Sequence, residues 1–130
     1  IDVFNEGRMR RDFTYIDDIV EGVIRLVDQV AAPEPGYDRA RPRAGASDAP
    51  YRIYNIGNHS PVELSRFIAA IEDALGRKAI RNPLPMQAGD VEATYAEVSA
   101  LEAAVGFAPS TPIETGVRRF VDWYRAWTGR

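Results

Sequence analysis

The chain has 130 residues, of which 45% are hydrophobic and 27% charged, and its formal net charge is −3; that is the size and composition of one ordinary globular domain. The acidic balance argues against a general nucleic-acid binder, no apolar run approaches the roughly 18–20 residues a membrane span needs, and no signal peptide is visible. The absence of cysteine excludes disulfides and thiolate metal sites, and a single histidine, His59, argues against a histidine-rich metal centre, so the expectation is a cytoplasmic protein without a metal.

Ile1 to Asn5 alternates apolar and polar residues and reads as a strand already under way. A piece of a longer polypeptide is therefore expected. Glu6-Gly7 signals a turn, and residues 10–15 can be extended, with Arg10 and Arg11 on opposite faces. Ile16, Ile19, Val20, Val23, Ile24 and Val27 then recur at helical spacing, with Asp17 and Asp18 in the first turn, where negative charge suits the helix dipole.

Residues 31–50 are broken by Pro33, Pro35, Gly36, Pro42, Gly45 and Pro50 and show no periodicity. They read as a long, exposed and mobile loop. Residues 51–56 read as a strand. Ser60-Pro61-Val62-Glu63 has the pattern of a capping box opening a helix, with Leu64, Phe67, Ile68, Ile71 and Leu75 buried and Gly76 as its stop. A short strand is expected over 79–84, a loop around Gly89, a brief extended piece at Thr94 and Tyr95, and a short helix over 98–105. Thr111-Pro112-Ile113-Glu114 repeats the capping pattern before a last helix with Val117, Phe120, Val121 and Tyr124 inward. The sum is a small α+β domain, 1–130, with three or four short strands and three main helices. It has no strand–GxGxxG–helix unit to hold a dinucleotide.

Two places could carry chemistry. Arg8, Arg10 and Arg11 crowd beside Gly7, and guanidinium forks match phosphate oxygens. On charge alone, a solvated basic edge is the better account. In Gln87-Ala88-Gly89-Asp90 the glycine frees the backbone to approach a ligand, and a carboxylate after such a turn suits adjacent sugar hydroxyls; Asp90 capping a local amide is the plainer alternative. Asn55 reads as a turn residue, His59 as an exposed loop residue, and Trp123 and Trp127 as packing or as cover for a surface that meets another domain. The carboxylate pairs Asp17-Asp18 and Glu72-Asp73 read as helix surface.

Taken in order, Val3-Phe4-Asn5, Arg11-Asp12-Phe13-Thr14-Tyr15-Ile16-Asp17-Asp18, Tyr54-Asn55-Ile56-Gly57, Gln87-Ala88-Gly89-Asp90-Val91, Thr94-Tyr95-Ala96 and Phe120-Val121-Asp122-Trp123-Tyr124 resemble the C-terminal part of NAD-dependent nucleotide-sugar epimerases of the extended short-chain dehydrogenase/reductase superfamily. The resemblance is greatest to UDP-glucuronate 4-epimerases and covers all but the 31–50 loop. It implies a parent enzyme, homodimeric and active in carbohydrate metabolism. An N-terminal Rossmann domain of that parent binds NAD and supplies the catalytic Ser/Thr, Tyr and Lys, so no catalytic residue is expected here and the chain alone is expected to be inactive. It further implies that the present residues bind the UDP-sugar, with Phe4 beside the uracil, Arg11 on the diphosphate, and Gln87 and Asp90 at the phosphate and ribose side. Ala88 stands where the family often has proline, and Glu97 where it usually has aspartate. Gln87, where galactose-type epimerases commonly have arginine, favours the uronate group. A nucleotide-sugar dehydratase, decarboxylase or reductase remains the alternative within the superfamily. A non-enzymatic anion-binding or interaction module is the alternative outside it.

Overall fold

A computed structural model describes residues 1–129; Arg130, the last residue of the expected 1–130 domain, lies outside the described residues. Strand β1 (Asp2–Phe4) ends in a 3-10 turn, Asn5–Gly7, whose three residues have φ of 48°, 53° and 78°. This left-handed backbone turns the chain sharply into β2 (Arg10–Arg11). Helix α1 (Ile16–Val27) follows, then the long loop, β3 (Val62–Glu63), α2 (Leu64–Leu75), β4 (Asn82–Leu84), α3 (Ser99–Val105) and α4 (Ile113–Thr128). Strands β1 and β4 pair in parallel, Phe4 opposite Leu84, while β2 and β3 pair antiparallel, Arg11 opposite Val62. The fold is a small α+β domain in which two minimal sheets are held by longer helices.

The apolar stripes of α2 and α4 meet. Ala70, Val117 and Val121 are buried between them, with Phe67, Ile71, Ala74 and Ile113 packed around. Phe120 and Tyr124, expected inward, lie 56% and 42% exposed, because the buried stripe of α4 is only as wide as α2 can cover. Phe13 stacks on Phe67 at 4.3 Å and joins the segment before α1 to this core. A second, smaller core forms where α3 meets α1. Leu101 is fully buried there and packs where Gly22 lets α1 approach both it and Ile56.

Both expected capping boxes are absent. Val62 and Glu63 are drawn into the sheet with β2, so α2 begins at Leu64 with Glu63 as its N-cap; Ser60 instead donates its backbone N–H to Asp12. Helix α4 begins at Ile113 after Pro112 with no side-chain cap, and the Thr111 N–H and hydroxyl both donate to Asp18. In each case a distant aspartate accepts the N–H that the glutamate of the box would have taken. Gly76 and Gly106 do close α2 and α3 in the left-handed conformation, with φ of 67° and 62°.

The expected strand over 51–56 is not formed. Its only ladder contact is a bridge between Ala46 and Arg52, and among the described residues the backbone N–H groups of Tyr54, Asn55 and Ile56 have no backbone partner. A strand needs a neighbour along its length, and beyond that bridge and the Ile53 N–H donating to the Gly45 carbonyl at 3.1 Å none lies beside this segment among the described residues. The extended reading of 10–15 shrinks to Arg10–Arg11 for the same reason. The 31–50 loop is organised around Glu34, whose carboxylate accepts from Arg43 and, at 2.6 Å, from Arg52; these hydrogen bonds hold it below its usual range, Arg43 contributing most.

Candidate functional site

The site grows from β2. Arg10 and Arg11 face opposite ways, as strand alternation requires. Arg10 donates through Nη2 to the Pro61 carbonyl at 3.1 Å and so belongs to the sheet edge. Arg11 turns to the other side. Its Nη2 donates to Asp90 Oδ1 at 2.9 Å, and Nη1 to the carbonyls of Arg10 at 2.9 Å and Glu92 at 3.5 Å. The side chains of Arg11 and Asp90 are 26% and 33% exposed, so the pair is open to a ligand yet partly shielded from bulk water. Arg8 is apart from it, in an exposed pair with Glu6 at 3.0 Å.

The turn expected around Gly89 is present. Asp90 N–H donates to the Gln87 carbonyl at 3.2 Å, and Gly89 carries the φ of 85° that closes the turn. Asp90 Oδ1 also accepts from the Val91 N–H at 2.8 Å, so it caps a local amide and pairs with Arg11 through one oxygen, while Oδ2 has no partner among the described residues. Gln87 itself is exposed, and only its carbonyl is engaged. Phe4 lies in the β1–β4 pair beside a cleft of about 420 Å³ between Asn5, Glu6, Arg8 and residues 83–86. Two of the four expected residues, Arg11 and Asp90, are thus in direct contact. Gln87 joins them through the turn, and Phe4 flanks the neighbouring cleft.

The backbone that presents Arg11 is clamped to the 90–96 segment. Arg10 N–H donates to Glu92 O at 2.8 Å, Thr94 N–H to Arg10 O at 3.1 Å, and Arg10 bridges Ala93 in parallel. Asp12 then collects three backbone amides. Oδ2 accepts from His59 at 3.2 Å and Ala96 at 3.0 Å, and Oδ1 from Ser60 at 3.1 Å. His59 is held by this arrangement, its Nδ1 also 2.9 Å from the Ala96 carbonyl and its ring tilted against Tyr95. Asn55 Nδ2 donates to Glu97 O at 3.1 Å. The Ser99 hydroxyl and amide keep the Glu97 carboxylate below its usual range, a positional role for this acid.

Sequence reasoning missed three carboxylates. Asp12 read as an ordinary strand residue. Asp18 was assigned to helix surface, yet it accepts from the amides of Ser110 and Thr111 at 3.2 and 2.9 Å and from the Thr111 hydroxyl, tying α1 to the start of α4. Glu72, also assigned to helix surface, is 4% exposed and meets Arg81 and Lys78, each at 2.9 Å. The partners of Asp12 and Asp18 lie 47 to 93 residues away in sequence, so no local spacing announces them, whereas those of Glu72 lie within nine residues, just past the helix end.

A larger cleft of about 470 Å³ lies between α2, α4 and residues 13–15, with Phe67, Ile71, Val117, Phe120 and Tyr124 in its walls. Its walls are mostly apolar and carry no basic side chain among the described residues. No cluster of metal-ligating side chains occurs among the described residues, and no described helix is long and apolar enough to cross a membrane.

No family model matches the chain. It is 52% identical, over 95% of its length, to the protein CapI of Staphylococcus aureus, and 48% identical over 95% of its length to a "Probable UDP-glucuronate 4-epimerase" of Rhizobium meliloti; it spans 37% of each relative. It is also 40% identical over 96% of its length to UDP-glucuronate 4-epimerase 1 of Arabidopsis thaliana, of which it spans 28%. In fold, 98% of the chain superposes on 37% of MoeE5 in complex with UDP-glucuronic acid and NAD (TM-score 0.73, 22% identity), and 97% on 35% of a Bacillus cereus UDP-glucuronic acid 4-epimerase in complex with UDP-glucuronic acid and NAD (TM-score 0.70, 21% identity). The chain is therefore related over nearly all its length to proteins named as nucleotide-sugar epimerases, and it spans between 28% and 37% of these relatives.

Proposed function

From this relation and from the Arg11–Asp90 pair, we propose that the chain is the nucleotide-sugar-binding part of an NAD-dependent UDP-sugar 4-epimerase acting on UDP-glucuronate. Arg11 grips the diphosphate, Gln87 and Asp90 serve the phosphate and ribose side, and Phe4 lies against the uracil. The observation that carries the reading is the 2.9 Å contact between Arg11 Nη2 and Asp90 Oδ1. It brings a phosphate-matching fork and a hydroxyl-matching carboxylate, 79 residues apart in sequence, to one partly exposed spot. Before ligand binds, the two charges neutralise each other. An arriving diphosphate competes with Asp90 for the guanidinium, and the carboxylate turns its open oxygen to the ribose hydroxyls.

NAD does not fit these residues. A dinucleotide pyrophosphate rests on a strand–glycine turn–helix, and α1 is entered from Thr14-Tyr15 without a glycine. The hydride chemistry of this reading therefore belongs to the rest of the polypeptide, and the present residues bind and orient.

The reading requires a second domain, and the surface for one is present. Ile16, Val20, Val23, Ile24 and Val27 of α1 are 46–73% exposed, and the unpaired 51–56 segment lies against the same helix through Ile56 and Gly22. An apolar helix face beside an extended segment whose 54–56 amides lack backbone partners suits docking against a further domain, here an N-terminal Rossmann domain. The same reading includes a cytoplasmic, homodimeric parent in carbohydrate metabolism.

The full-length protein, given NAD and UDP-glucuronate, is expected to interconvert it with its 4-epimer, and residues 1–130 alone to be inactive. A different product, such as a decarboxylated or dehydrated sugar, would assign another superfamily reaction. Turnover by the 130 residues alone would overturn the division of labour.

A further inference from the structure

Arg11 and Asp90 belong to segments that meet only in the folded chain, so something must set their register. Main-chain hydrogen bonds join Arg10 to Glu92 and Thr94, but β2 is only two residues long and cannot hold a register alone. The next residue, Asp12, is fixed at both ends. Its backbone N–H donates to Thr94 Oγ1 at 3.4 Å, and its carboxylate accepts the amides of Ala96, Ser60 and His59 at 3.0, 3.1 and 3.2 Å. The knot is tight. A Cβ on Gly57 would come within 2.4 Å of Ala96 Cβ and 3.1 Å of Asp12 Oδ2, so only glycine lets the 57–60 loop close over this carboxylate. His59, held through its amide, takes a φ of 52°, a left-handed conformation unusual for a side chain of its size.

We propose that Asp12 is a positioning residue of the nucleotide site: by binding the amides of His59, Ser60 and Ala96 it locks the 90–96 segment beside β2 and so places Asp90 against Arg11. This rests on Arg11 being the diphosphate contact. A carboxylate accepting three backbone amides is an economical lock, because it satisfies three donors that would otherwise lie unpaired at a junction of three loops. Asparagine at this position keeps one acceptor and sets an NH₂ group against the two amides that now reach Oδ2.

The test uses the full-length enzyme and measures KM for UDP-glucuronate, kcat and the near-ultraviolet circular dichroism of Arg11→Ala, Asp12→Asn and the double variant. Asp12→Asn is expected to fold and to raise KM about tenfold or more with kcat within about twofold, the mark of lost binding to ground and transition state alike. In the Arg11→Ala background the same substitution is expected to add little, because the contact it positions is already gone. If Arg11→Ala leaves KM unchanged, the diphosphate reading fails and this inference with it. If Arg11→Ala raises KM while folded Asp12→Asn does not, Asp12 is not a positioning residue. Equal effects of Asp12→Asn in the two backgrounds would mark general damage and also overturn the proposal. Should Asp12→Asn fail to fold, Thr94→Val takes its place. It removes only the acceptor of the Asp12 N–H, and is expected to raise KM in the wild-type background and not in Arg11→Ala; an unchanged KM would overturn the proposal.

Discussion

Single side chains here do two kinds of work, and charge alone does not separate them. Arg8, Arg10 and Arg11 are adjacent and identical in type, yet one pairs with a neighbour in solvent, one braces a sheet edge and one meets Asp90. Replacing Arg11 by alanine in the full-length enzyme is expected to weaken substrate binding by about 1.5–3 kcal/mol, the scale of a hydrogen bond to a charged group; an unchanged KM would remove it from the diphosphate. Glu72 shows the other kind. Hydrogen bonds from Arg81, then Lys78, then the Ala79 amide lower its pKa from 4.5 to about 2. A carboxyl more acidic in the folded than in the unfolded chain stabilises the fold above its unfolded pKa and loses that contribution as it is protonated. The denaturation midpoint of Glu72→Gln is therefore expected below wild type at pH 7, with the gap narrowing as pH falls from 4.5 towards 2. A gap independent of pH would show that its charge is not what matters. The residue-level reading of the sequence singles out Arg11 because six short blocks in order lend each other weight, and the structure sets that side chain against Asp90. It missed Asp12 and Asp18 because an aspartate that binds distant amides looks, in sequence, like one that binds water, and Glu72 because a helix carboxylate looks exposed until the chain just after Gly76 folds Lys78 and Arg81 back onto it.

Among the elements, the helices were legible, while the strands were legible only in part: β1, β2 and β4 form inside the expected 1–5, 10–15 and 79–84, 51–56 forms none, and β3 lies where a helix start was expected. An amphipathic helix of 12 or 16 residues makes its own hydrogen bonds, so its periodicity survives into the fold, and Gly76 and Gly106 end their helices by a local backbone requirement. Strands of two and three residues exist only through their partners. Val62 and Glu63 were read as the first turn of a helix, and they became a strand because β2 lies beside them. Close approach between elements makes sharper demands. In α4, a Cβ on Gly116 would stand 3.0 Å from the Tyr15 ring, whereas in α1 one on Gly22 would meet the ends of Ile56 and Leu101 at 3.4–3.7 Å. Gly22→Ala is expected to raise the unfolding midpoint, helped by up to about 1 kcal/mol of helix propensity, and Gly116→Ala to lower it. The same sign for both would show that tight packing against Tyr15 does not govern α4. Leu101, fully buried between α1 and α3, should cost about 2–5 kcal/mol when cut to alanine, measured by chemical denaturation.

For the molecule as a whole, the apolar faces outnumber the partners they have within it. α2 and α4 satisfy each other over one stripe, but the α1 stripe, the 51–56 edge and the stacked Trp123 and Trp127 remain open. A domain that leaves so much apolar surface exposed tends to associate. Residues 1–130 alone are expected to sediment above monomer mass, and Val20→Glu with Ile24→Glu to restore the monomer while destabilising the full-length protein. If the double substitution leaves the full-length protein unchanged, α1 does not face another domain.

By itself the sequence determined the helices and the glycine stops of α2 and α3, the turn at Gly89, the α+β class and the kinship that points to Arg11 and Asp90, because each of these is written in neighbouring residues or in short blocks. Only the tertiary structure decided that Arg11, rather than Arg8 or Arg10, meets Asp90. It alone showed that Asp12, Asp18 and Glu72 tie the chain together, that neither capping box forms, and that 51–56 lacks a partner strand. For all but Glu72, whose partners lie within nine residues, the physical reason is shared: a hydrogen bond or strand pairing between residues tens of positions apart depends on where the chain returns, and local pattern carries no record of that return.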